Sequence, residues 1–484
     1  MTPADGAPAA SSLPLTVDLD GTLIATDMLH ESALGLLRTS PRMTLSIPFW
    51  LARGKAALKA ELARRFDFDP ALLPFNEPFV AWLRAERSRG RRLILATASD
   101  ARIATAIADV LGLFDETLAS DGSVNLGGAA KAEALVGRFG KGGFAYAGNA
   151  AADLPVWREA GAAVVVNASA GLADKVSGLC PVEREFQARP LDPMPVPRML
   201  RLHQWLKNLL VFVPLGAAHQ MGDADRWPAV LMCFLAFCLC ASSVYLINDL
   251  LDLESDRRHP RKRWRALASG AVSIRYAALL SPVLFLCSMG LGIAAGLGPL
   301  AWLCAYFVVT CAYSLRLKRV AVLDCMVLAL LYSLRVVAGG AAAAVPLSHW
   351  LLAFSAFMFL SLAFVKRYAE LQSHPPDAVG KLHGRGYGVG DARLVLSLGV
   401  ASGIASALVL SLYLNSETVV RLYPTPGFIW ACVPVLLYWI GHMWLTAHRG
   451  LMHDDPLVFA VKDGPSLAAG ALFVAALVAG GVAW

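Results

Sequence analysis

Residues 248–256 read NDLLDLESD, and they follow directly on the apolar run AVLMCFLAFCLCASSVYLI at residues 229–247. That run is long enough to cross a bilayer, which takes about 20 apolar residues. The basic string RRHPRKRWR comes next, at residues 257–265. Carboxylates at a membrane boundary repel one another unless a cation lies among them. The stretch therefore predicts a charged site where a membrane helix ends.

Composition divides the chain near residue 195. Of its 484 residues, 57% are hydrophobic and 16% are charged, which is rare for a soluble protein of this length. Residues 1–12 are small and polar, so they predict a disordered N-terminus and no secretion signal. After residue 195, nine apolar runs have the length of membrane spans: 205–222, 228–250, 276–296, 298–315, 320–344, 348–365, 394–414, 427–447 and 465–484.

The charges of the loops support this topology. With the N-terminus inside, the four inside loops hold seven, three, five and two Lys or Arg residues, and the outside loops hold only Arg226 and Arg421. Such an excess of cations is the positive-inside signature. We therefore expect the NDLLDLESD end, and the N-terminal domain, on the cytoplasmic face of the inner membrane.

The first 180 residues predict an α/β domain. Short apolar strands run into DLDGT (18–22), end at Thr97 in RRLILATAS, and run into GNAAAD (148–153). Strands that alternate with helical segments predict a parallel sheet that binds its ligand at the carboxyl ends of the strands. One carboxylate there can attack phosphorus, a second can protonate the leaving oxygen, and a metal with a lysine can screen the anions.

Residues 13–180 resemble the haloacid dehalogenase (HAD) superfamily of aspartyl-phosphate phosphatases through these elements and the lysine of GGAAKAEAL. The resemblance implies a Rossmann-like fold with a small helical cap, about residues 28–90. Where the family has a Gly-Asp pair, this chain has Gly148-Asn149. The implied roles are nucleophile for Asp18, general acid and base for Asp20, phosphoryl binding for Thr97 and Lys131, and Mg2+ binding for Asp18, Asp20 and Asp153.

The cap segment MTLSIPFWLARGKAALKAELARR, residues 43–65, places bulky apolar side chains before a basic helix. That order suits an amphipathic segment on an anionic membrane surface. The simpler interpretation is that Phe49, Trp50 and Leu51 form the core of the cap.

The acidic motif of the membrane half predicts a metal site if the helix continues through it. Asn248, Asp252 and Asp256 then recur every four residues and lie on one stripe about 12 Å long. Oxygen ligands in a row suit Mg2+, which often bridges protein carboxylates and substrate phosphates. The basic string offers partners for a diphosphate. The alternative is a solvated helix end whose charges reach the interface.

Residues 198–484 resemble the UbiA superfamily of intramembrane transferases, in the branch of polyprenyl-phosphate phosphoribosyltransferases. The resemblance lies in RLHQWLKN (201–208), NDLLDLESDRRHPRKRWRALASG (248–270), YSLRLKRVAVLD (313–324) and SLRVVAGG (333–340). It implies an all-α bundle of nine transmembrane helices that uses Mg2+ and a diphosphate. In that branch the donor is phosphoribosyl pyrophosphate (PRPP), and a lipid phosphate is the nucleophile.

Polar residues of the spans complete the predicted site. Arg335 lies in mid-span, where an ionisable residue is costly, and it either neutralises Asp324 on the same helix face or binds a substrate phosphate. Asp252 and Asp256 are the predicted catalytic residues, with Asn248 as a third Mg2+ ligand. The other predicted substrate-binding residues share the predicted cytoplasmic ends of the spans. For any single lysine among them, anchoring at the membrane interface is an equally good explanation. These residues are Lys207, Asn208, Asp249, Arg257, Arg258, His259, Lys262, Arg265, Tyr313, Lys318, Lys366 and Arg367.

These features predict a bifunctional enzyme. It would transfer 5-phosphoribose from PRPP to a polyprenyl phosphate, release pyrophosphate, and remove the 5-phosphate with the HAD domain, held nearby by the proline-rich linker at 181–197. Residues 366–378, KRYAELQSHPPDA, lack the second DxxxD motif of prenyl-diphosphate enzymes, which favours the phosphoribosyl branch and a role in cell-wall biogenesis. The alternatives are prenyl transfer to an aromatic acceptor, and a non-catalytic transporter or scaffold. We expect the bilayer and no nucleic acid as partner, and the sequence predicts no oligomeric state.

Overall fold

The computed structural model describes residues 13–187, 195–373, 385–416, 419, 423–452 and 455–482. The predicted disordered N-terminus, the middle of the predicted linker and Asp377 lie outside these residues. The chain forms two compact units: Met1–Leu200 with Leu246–Leu280, and Arg201–Tyr245 with Ser281–Trp484.

A six-stranded parallel sheet forms the core of the first unit. The strands are β1 (Leu15–Val17), β2 (Leu93–Asp100), β3 (Glu116–Ser120), β4 (Ala145–Gly148), β5 (Ala162–Val166) and β6 (Val182–Phe186). Their order is β3-β2-β1-β4-β5-β6, and all five pairings are parallel. The parallel pairing confirms the sheet that the sequence predicts, and its order is Rossmann-like, with the switch point between β1 and β4. The exposed edge strand β6 lies within the segment predicted as linker.

Helices cover this sheet and build the cap. Between β1 and β2 lie α1 (Met28–Thr39), α2 (Ile47–Ala52), α3 (Lys55–Ala63) and α4 (Glu77–Ser88). After β2 come α5 (Ala101–Leu111), α6 (Ala129–Phe139), α7 (Leu154–Glu159), α8 (Ala170–Ser177) and α9 (Pro195–Met199). Helix α4 packs into the sheet core through Phe79 and Leu83. The cap proper is therefore α1 to α3.

The cap has its own small core, and it differs from the predicted one. Buried Leu36, Trp50, Leu58 and Leu62 form it. Of the predicted core residues only Trp50 is buried, and Phe49 and Leu51, its neighbours in the short helix α2, are exposed.

The rest of the chain is all-α. Its helices are α10 (Val213–Ala217), α11 (Trp227–Leu251), α12 (Leu253–Arg258), α13 (Ile274–Ala295), α14 (Leu297–Leu315), α15 (Leu323–Ala342), α16 (His349–Gln372), α17 (Ala392–Leu414), α18 (Cys432–His448), α19 (Pro456–Ala460) and α20 (Gly464–Gly481). Among the described residues, eight helices are long and apolar enough to cross a membrane. Exposed leucines along them, such as Leu286 in α13, face the lipid.

The first of the nine predicted spans is not a continuous α-helix. Its residues form a 3-10 helix, Leu202–Phe212, followed by the short α10. Pro214 has no amide hydrogen to donate, which accounts for a new helix start there. Gly339 of α15 packs against this segment so closely that an added Cβ would lie 2.0 Å from the Val211 carbonyl oxygen.

Candidate active sites

The predicted phosphatase residues meet at the carboxyl ends of β1, β2 and β4. Asp18 follows β1, buried Thr97 lies in β2, and Asp153 follows β4. Lys131 of α6 places its Nζ atom 2.6 Å from Asp18 Oδ1 and 3.9 Å from Asp153 Oδ1. The parallel topology therefore brings together four residues that are far apart in the chain.

Asp153 holds its neighbours in place with both carboxylate oxygens. The Tyr146 hydroxyl donates to Asp153 Oδ1 over 2.7 Å and accepts from Lys131 Nζ over 2.9 Å. The backbone N–H groups of Asn149 and Ala150 donate to Asp153 Oδ2 over 3.2 and 3.1 Å. These hydrogen bonds orient the Asp153 carboxylate beside Asp18 and Lys131. Direct Mg2+ binding by Asp153 stays a prediction.

Asp20 has a different environment from Asp18. Its Oδ1 accepts from the Met28 N–H over 2.8 Å and its Oδ2 accepts from the Ser99 hydroxyl over 2.7 Å. Burial, reinforced by the carboxylates of Asp27 and Asp18, raises the pKa of Asp20 to about 7. A carboxyl group with that pKa can donate and accept a proton near neutral pH, as a general acid and base must.

Mg2+ fits the charge of this site. Burial raises the pKa of Asp18, Lys131 lowers it, and Asp153 raises it again. Two buried carboxylates, Asp18 and Asp153, and the half-buried Asp20, with one lysine, leave excess negative charge that a divalent cation would neutralise. Asp18 is the residue placed to hold such an ion. In the described part of the chain no three His, Cys, Asp or Glu side chains form a ready metal cluster, and the neutral side chain of Asn149 lies against Gly21 and Thr22.

The cap supplies a cation that the sequence analysis missed. Lys59 of α3 donates to the Ala98 carbonyl over 2.6 Å and to Asn125 Oδ1 over 2.9 Å. Burial lowers the pKa of Lys59, while the Asp20 and Asp27 carboxylates raise it. A lysine within electrostatic reach of the general acid suits an anionic substrate. The sequence feature that could have identified Lys59 is its position beside the buried face of an amphipathic helix.

The acidic motif keeps a helical path. Asp252 N–H donates to the Asn248 carbonyl, and Asp256 N–H donates to the Asp252 carbonyl, each over 2.8 Å. The three residues therefore lie on one stripe, as their spacing predicts. Within the described part of the chain, the side chains of Asn248 and Asp252 make no hydrogen bond or ion pair. Two half-buried oxygen ligands without protein partners fit Mg2+.

One arginine of the basic string reaches this motif. Arg265 lies 2.6 Å from Asp256 Oδ2 and 3.2 Å from Asp249 Oδ1. Asp256 is buried, so its charge is neutralised by Arg265 in this state. Asn248 and Asp252 are the ligands that remain open.

The other predicted residues of the string have different partners. Arg257 pairs with Glu31 of the cap, 2.6 Å away, and Arg258 pairs with Glu254. His259 Nδ1 accepts from backbone N–H groups of its own turn, and Lys262 is exposed. The structure therefore brings Arg265 alone of these residues to the stripe.

In the second unit, Arg335 is buried without a carboxylate partner among the described residues. Its Nε donates to Asn208 Oδ1 over 2.7 Å, and its Nη2 donates to the Tyr306 hydroxyl over 3.0 Å. The guanidinium also stacks 4.7 Å from the centre of the Tyr306 ring. Of the two predicted alternatives, pairing with Asp324 is wrong, and the positive charge of Arg335 is left for an anion.

Asp324 instead binds Arg367. The Arg367 guanidinium lies 2.5 Å from Asp324 Oδ2, both side chains are fully buried, and the Tyr387 hydroxyl donates to Asp324 Oδ1 over 2.6 Å. Arg367 also pairs with Glu370. Both Arg367 and Asp324 were predicted to bind substrate, and this arrangement makes them a structural pair between α15 and α16.

Asp455 joins two of the predicted lysines, and the sequence analysis missed it. Lys207 and Lys366 place their Nζ atoms 2.7 and 3.0 Å from Asp455 Oδ2, and the Tyr332 hydroxyl donates to Oδ1 over 3.1 Å. Burial raises the pKa of Asp455, but the two ammonium groups hold it well below its usual value. The cluster keeps one net positive charge. Its only sequence signal was an aspartate before Pro456, where it caps α19.

The remaining two predicted residues lie near the end of α14. The Tyr313 hydroxyl accepts from Arg385 over 2.9 Å. Lys318 is half-buried in the turn that follows and makes no ion pair with any described residue.

Comparisons with known proteins agree with this architecture. The UbiA prenyltransferase family matches residues 209–462. The uncharacterized protein y4nM of Sinorhizobium fredii is 41% identical over 479 residues, 96% of this chain and 90% of that protein. The nodulation protein NoeC of Azorhizobium caulinodans is 38% identical over 271 residues, 55% of this chain and 87% of NoeC.

The decaprenyl-phosphate phosphoribosyltransferase of Mycolicibacterium smegmatis is 42% identical over 181 residues, which are 36% of this chain and 56% of that protein. The chain belongs to the UbiA prenyltransferase family. It is a multi-pass membrane protein with a parallel α/β domain before its helical bundle.

Proposed function

We propose that this chain transfers 5-phosphoribose from PRPP to a polyprenyl phosphate and then removes the 5-phosphate with its N-terminal domain. The observation that carries the proposal is the stripe of the acidic motif, where Asn248 and Asp252 keep open oxygen ligands beside Arg265. The similarity to a phosphoribosyltransferase that acts on decaprenyl phosphate supports this choice of substrates.

In the transfer step, an oxygen of the lipid phosphate attacks the anomeric carbon, and the bond from that carbon to pyrophosphate breaks. Mg2+ held by Asn248 and Asp252 would neutralise the diphosphate and stabilise it as a leaving group. Arg265 is paired with Asp249 and Asp256 and so holds these two carboxylates next to the proposed metal ligands. Arg335 of the second unit, which has neutral hydrogen-bond partners, remains a candidate for binding a phosphate group.

In the hydrolysis step, Asp18 attacks the phosphorus of the 5-phosphate and Asp20 protonates the departing ribose oxygen. Asp20 then takes a proton from water, which cleaves the aspartyl phosphate and releases inorganic phosphate. The Asp20 pKa of about 7 suits both proton transfers. Lys131, 2.6 Å from Asp18, holds the nucleophile and screens the phosphoryl group.

The test offers the purified protein two pairs of substrates. One reaction contains labelled PRPP and polyprenyl phosphate, and the other contains a prenyl diphosphate and an aromatic acid, both with Mg2+. We expect a labelled lipid only from the first pair. Product from the second pair alone would show that the bundle is a prenyltransferase of the usual type and would overturn the proposal.

A further inference from the structure

The cap carries apolar surface that its own core does not use. We call Met43, Leu45, Phe49 and Leu51 the cap patch. All four are exposed, with Leu45 at 83% and Phe49 at 67%. Trp50, which belongs to the same segment, packs in the core of the cap. The four side chains are therefore not packing elements of the described fold, and several large apolar side chains exposed in one short segment mark an interaction surface.

Cations surround the cap patch. Arg42, Arg53 and Lys55 are exposed and flank it in the chain. No carboxylate among the described residues lies within ion-pair distance of any of the three. Bulky apolar side chains with unpaired basic residues at their edge are the combination that binds an anionic lipid surface.

The cap is held where a membrane helix ends. Helix α1 pairs its Glu31 with Arg257 and its Arg38 with Glu254. Arg257 and Glu254 come within six residues of the end of α11, which is a candidate membrane span. These contacts lie within the first compact unit, which contains both the cap and residues 246–280.

A second contact fixes the same placement. Gly270, with φ of 73°, packs against Ala25 so closely that an added Cβ would lie 2.3 Å from the Ala25 carbonyl oxygen. Ala25 belongs to the loop between the nucleophile and α1, and Gly270 lies shortly before α13 enters its own candidate span at Ile274. The cap thus contacts the ends of two candidate spans.

The loop between those spans carries its own interfacial signal. Trp264 is 66% exposed, and the Arg263 guanidinium lies 4.9 Å from the centre of its ring. Tryptophan and arginine at the end of a span are typical of the headgroup region of a bilayer. This observation is independent of the cap patch and supports an interface with lipid headgroups near the same loop.

We propose that the cap patch inserts into the anionic cytoplasmic leaflet of the membrane that α11 crosses. The side chains of the patch enter the headgroup boundary, and Arg42, Arg53 and Lys55 bind lipid phosphates. The cap then holds the phosphatase domain against the surface where any lipid-linked substrate is presented. The occupant of the patch is the bilayer, and a second copy of the chain is the alternative that the experiment distinguishes.

The experiment places a photoactivatable p-benzoylphenylalanine at position 49 in the full chain. The protein is reconstituted in nanodiscs of phosphatidylcholine with phosphatidylglycerol, irradiated, and analysed by mass spectrometry. We expect covalent adducts of phospholipid at position 49. The matched control carries the probe at Val110, another exposed apolar residue of the same domain, on α5, and should give no lipid adduct.

Two further outcomes decide the proposal. The double variant Arg42→Glu with Arg53→Glu should lose the lipid adduct, since both positions are exposed and the fold does not depend on them. Crosslinks between two chains at position 49, or equal lipid labelling at positions 49 and 110, would overturn it. Hydrolysis of p-nitrophenyl phosphate by each variant serves as the check that the domain remains folded.

Discussion

At the scale of single residues, the two aspartates of DLDGT show how position decides chemistry. Asp18 pairs with Lys131, whereas Asp20 accepts hydrogen bonds only from neutral donors. Burial raises the pKa of both, and for Asp20 it reaches about 7. Two carboxylates two residues apart are thereby suited to different roles, one as nucleophile and one as proton donor.

The first prediction tests the pKa of Asp20. Phosphatase activity should fall as the pH rises through about 7, because the general acid must be protonated when the phosphoester bond breaks. Ser99→Ala removes a hydrogen bond that favours the carboxylate, so the pKa should rise and the alkaline limb should move up by about one pH unit. The measurement is a pH profile of kcat/KM for p-nitrophenyl phosphate.

Ser88→Ala is the control for that profile, since Ser88 is exposed on α4 and bonds only its own helix. It should leave the limb in place. If the alkaline limb of the Ser99→Ala pH profile does not move, or moves to lower pH, a group other than Asp20 controls the rate.

The second prediction concerns the stripe of the acidic motif. Asp252→Asn should reduce the rate of pyrophosphate release by more than about a hundredfold. Loss of a metal ligand lowers activity at least as much as loss of the residues that hydrogen-bond to that ligand. Glu254→Gln is the matched control, two residues further on and off the stripe. Transfer rates with PRPP and polyprenyl phosphate measure both. Similar rates for the two variants would remove Asp252 from the metal site.

At the scale of elements, a buried ion pair joins two membrane helices. Asp324 at the start of α15 and Arg367 in α16 have no exposed side-chain surface. Neither residue alone predicts the partner, since Asp324 lies on the same predicted face as Arg335. In the structure Arg335 has neutral partners, and the Asp324–Arg367 ion pair joins α15 to α16.

The third prediction measures that ion pair. Asp324→Asn leaves a buried guanidinium without its full partner and should destabilise the bundle by about 3 kcal/mol or more. Adding Arg367→Met removes the stranded charge and should recover most of the loss. Thermal unfolding in detergent measures both, with Arg316→Met, an exposed site, as control. A double variant less stable than the single one would contradict a structural role.

At the scale of the whole molecule, ion pairs tie the phosphatase cap to the acidic motif. Glu31 and Arg257 are 226 residues apart in the chain, and the Thr26 hydroxyl also donates to Glu31 over 2.7 Å. The pair therefore connects the region after Asp18, the proposed nucleophile, with the segment after the proposed metal ligands. This is the contact through which one reaction would affect the other.

The fourth prediction separates the two reactions. Asp18→Asn cannot form the aspartyl phosphate but keeps its size, so the variant should release pyrophosphate at the normal rate and accumulate the lipid-linked ribose 5-phosphate. The unaltered protein should yield the dephosphorylated lipid and free phosphate. The ratio of the two lipids on a chromatogram is the readout.

Slower pyrophosphate release by Asp18→Asn would show that the two reactions are coupled, with Glu31→Gln as the next variant to examine. If the unaltered protein stops at the 5-phosphate, the domain does not act on this lipid. The neutral Asn149 would then be the residue to replace by aspartate.

The sequence alone determined the features that depend on local pattern. Eight of the nine predicted apolar runs match candidate membrane helices of the described residues, because burial in lipid imposes hydrophobicity on a continuous segment. The i, i+4 spacing placed Asn248, Asp252 and Asp256 on one stripe, because a helix has a fixed period. The prediction of a continuous first span was wrong, because a new helix begins next to Pro214.

Only the tertiary structure decided which charges meet. Arg257 looked like a diphosphate ligand and binds Glu31; Asp324 binds Arg367; Lys207 binds Asp455, 248 residues away. The physical reason is that a charge attracts any opposite charge that the fold brings near, and its energy depends on distance and burial and not on separation in the chain. A pattern of residue types can supply the candidates for a site, and only the packing of the helices selects the partners.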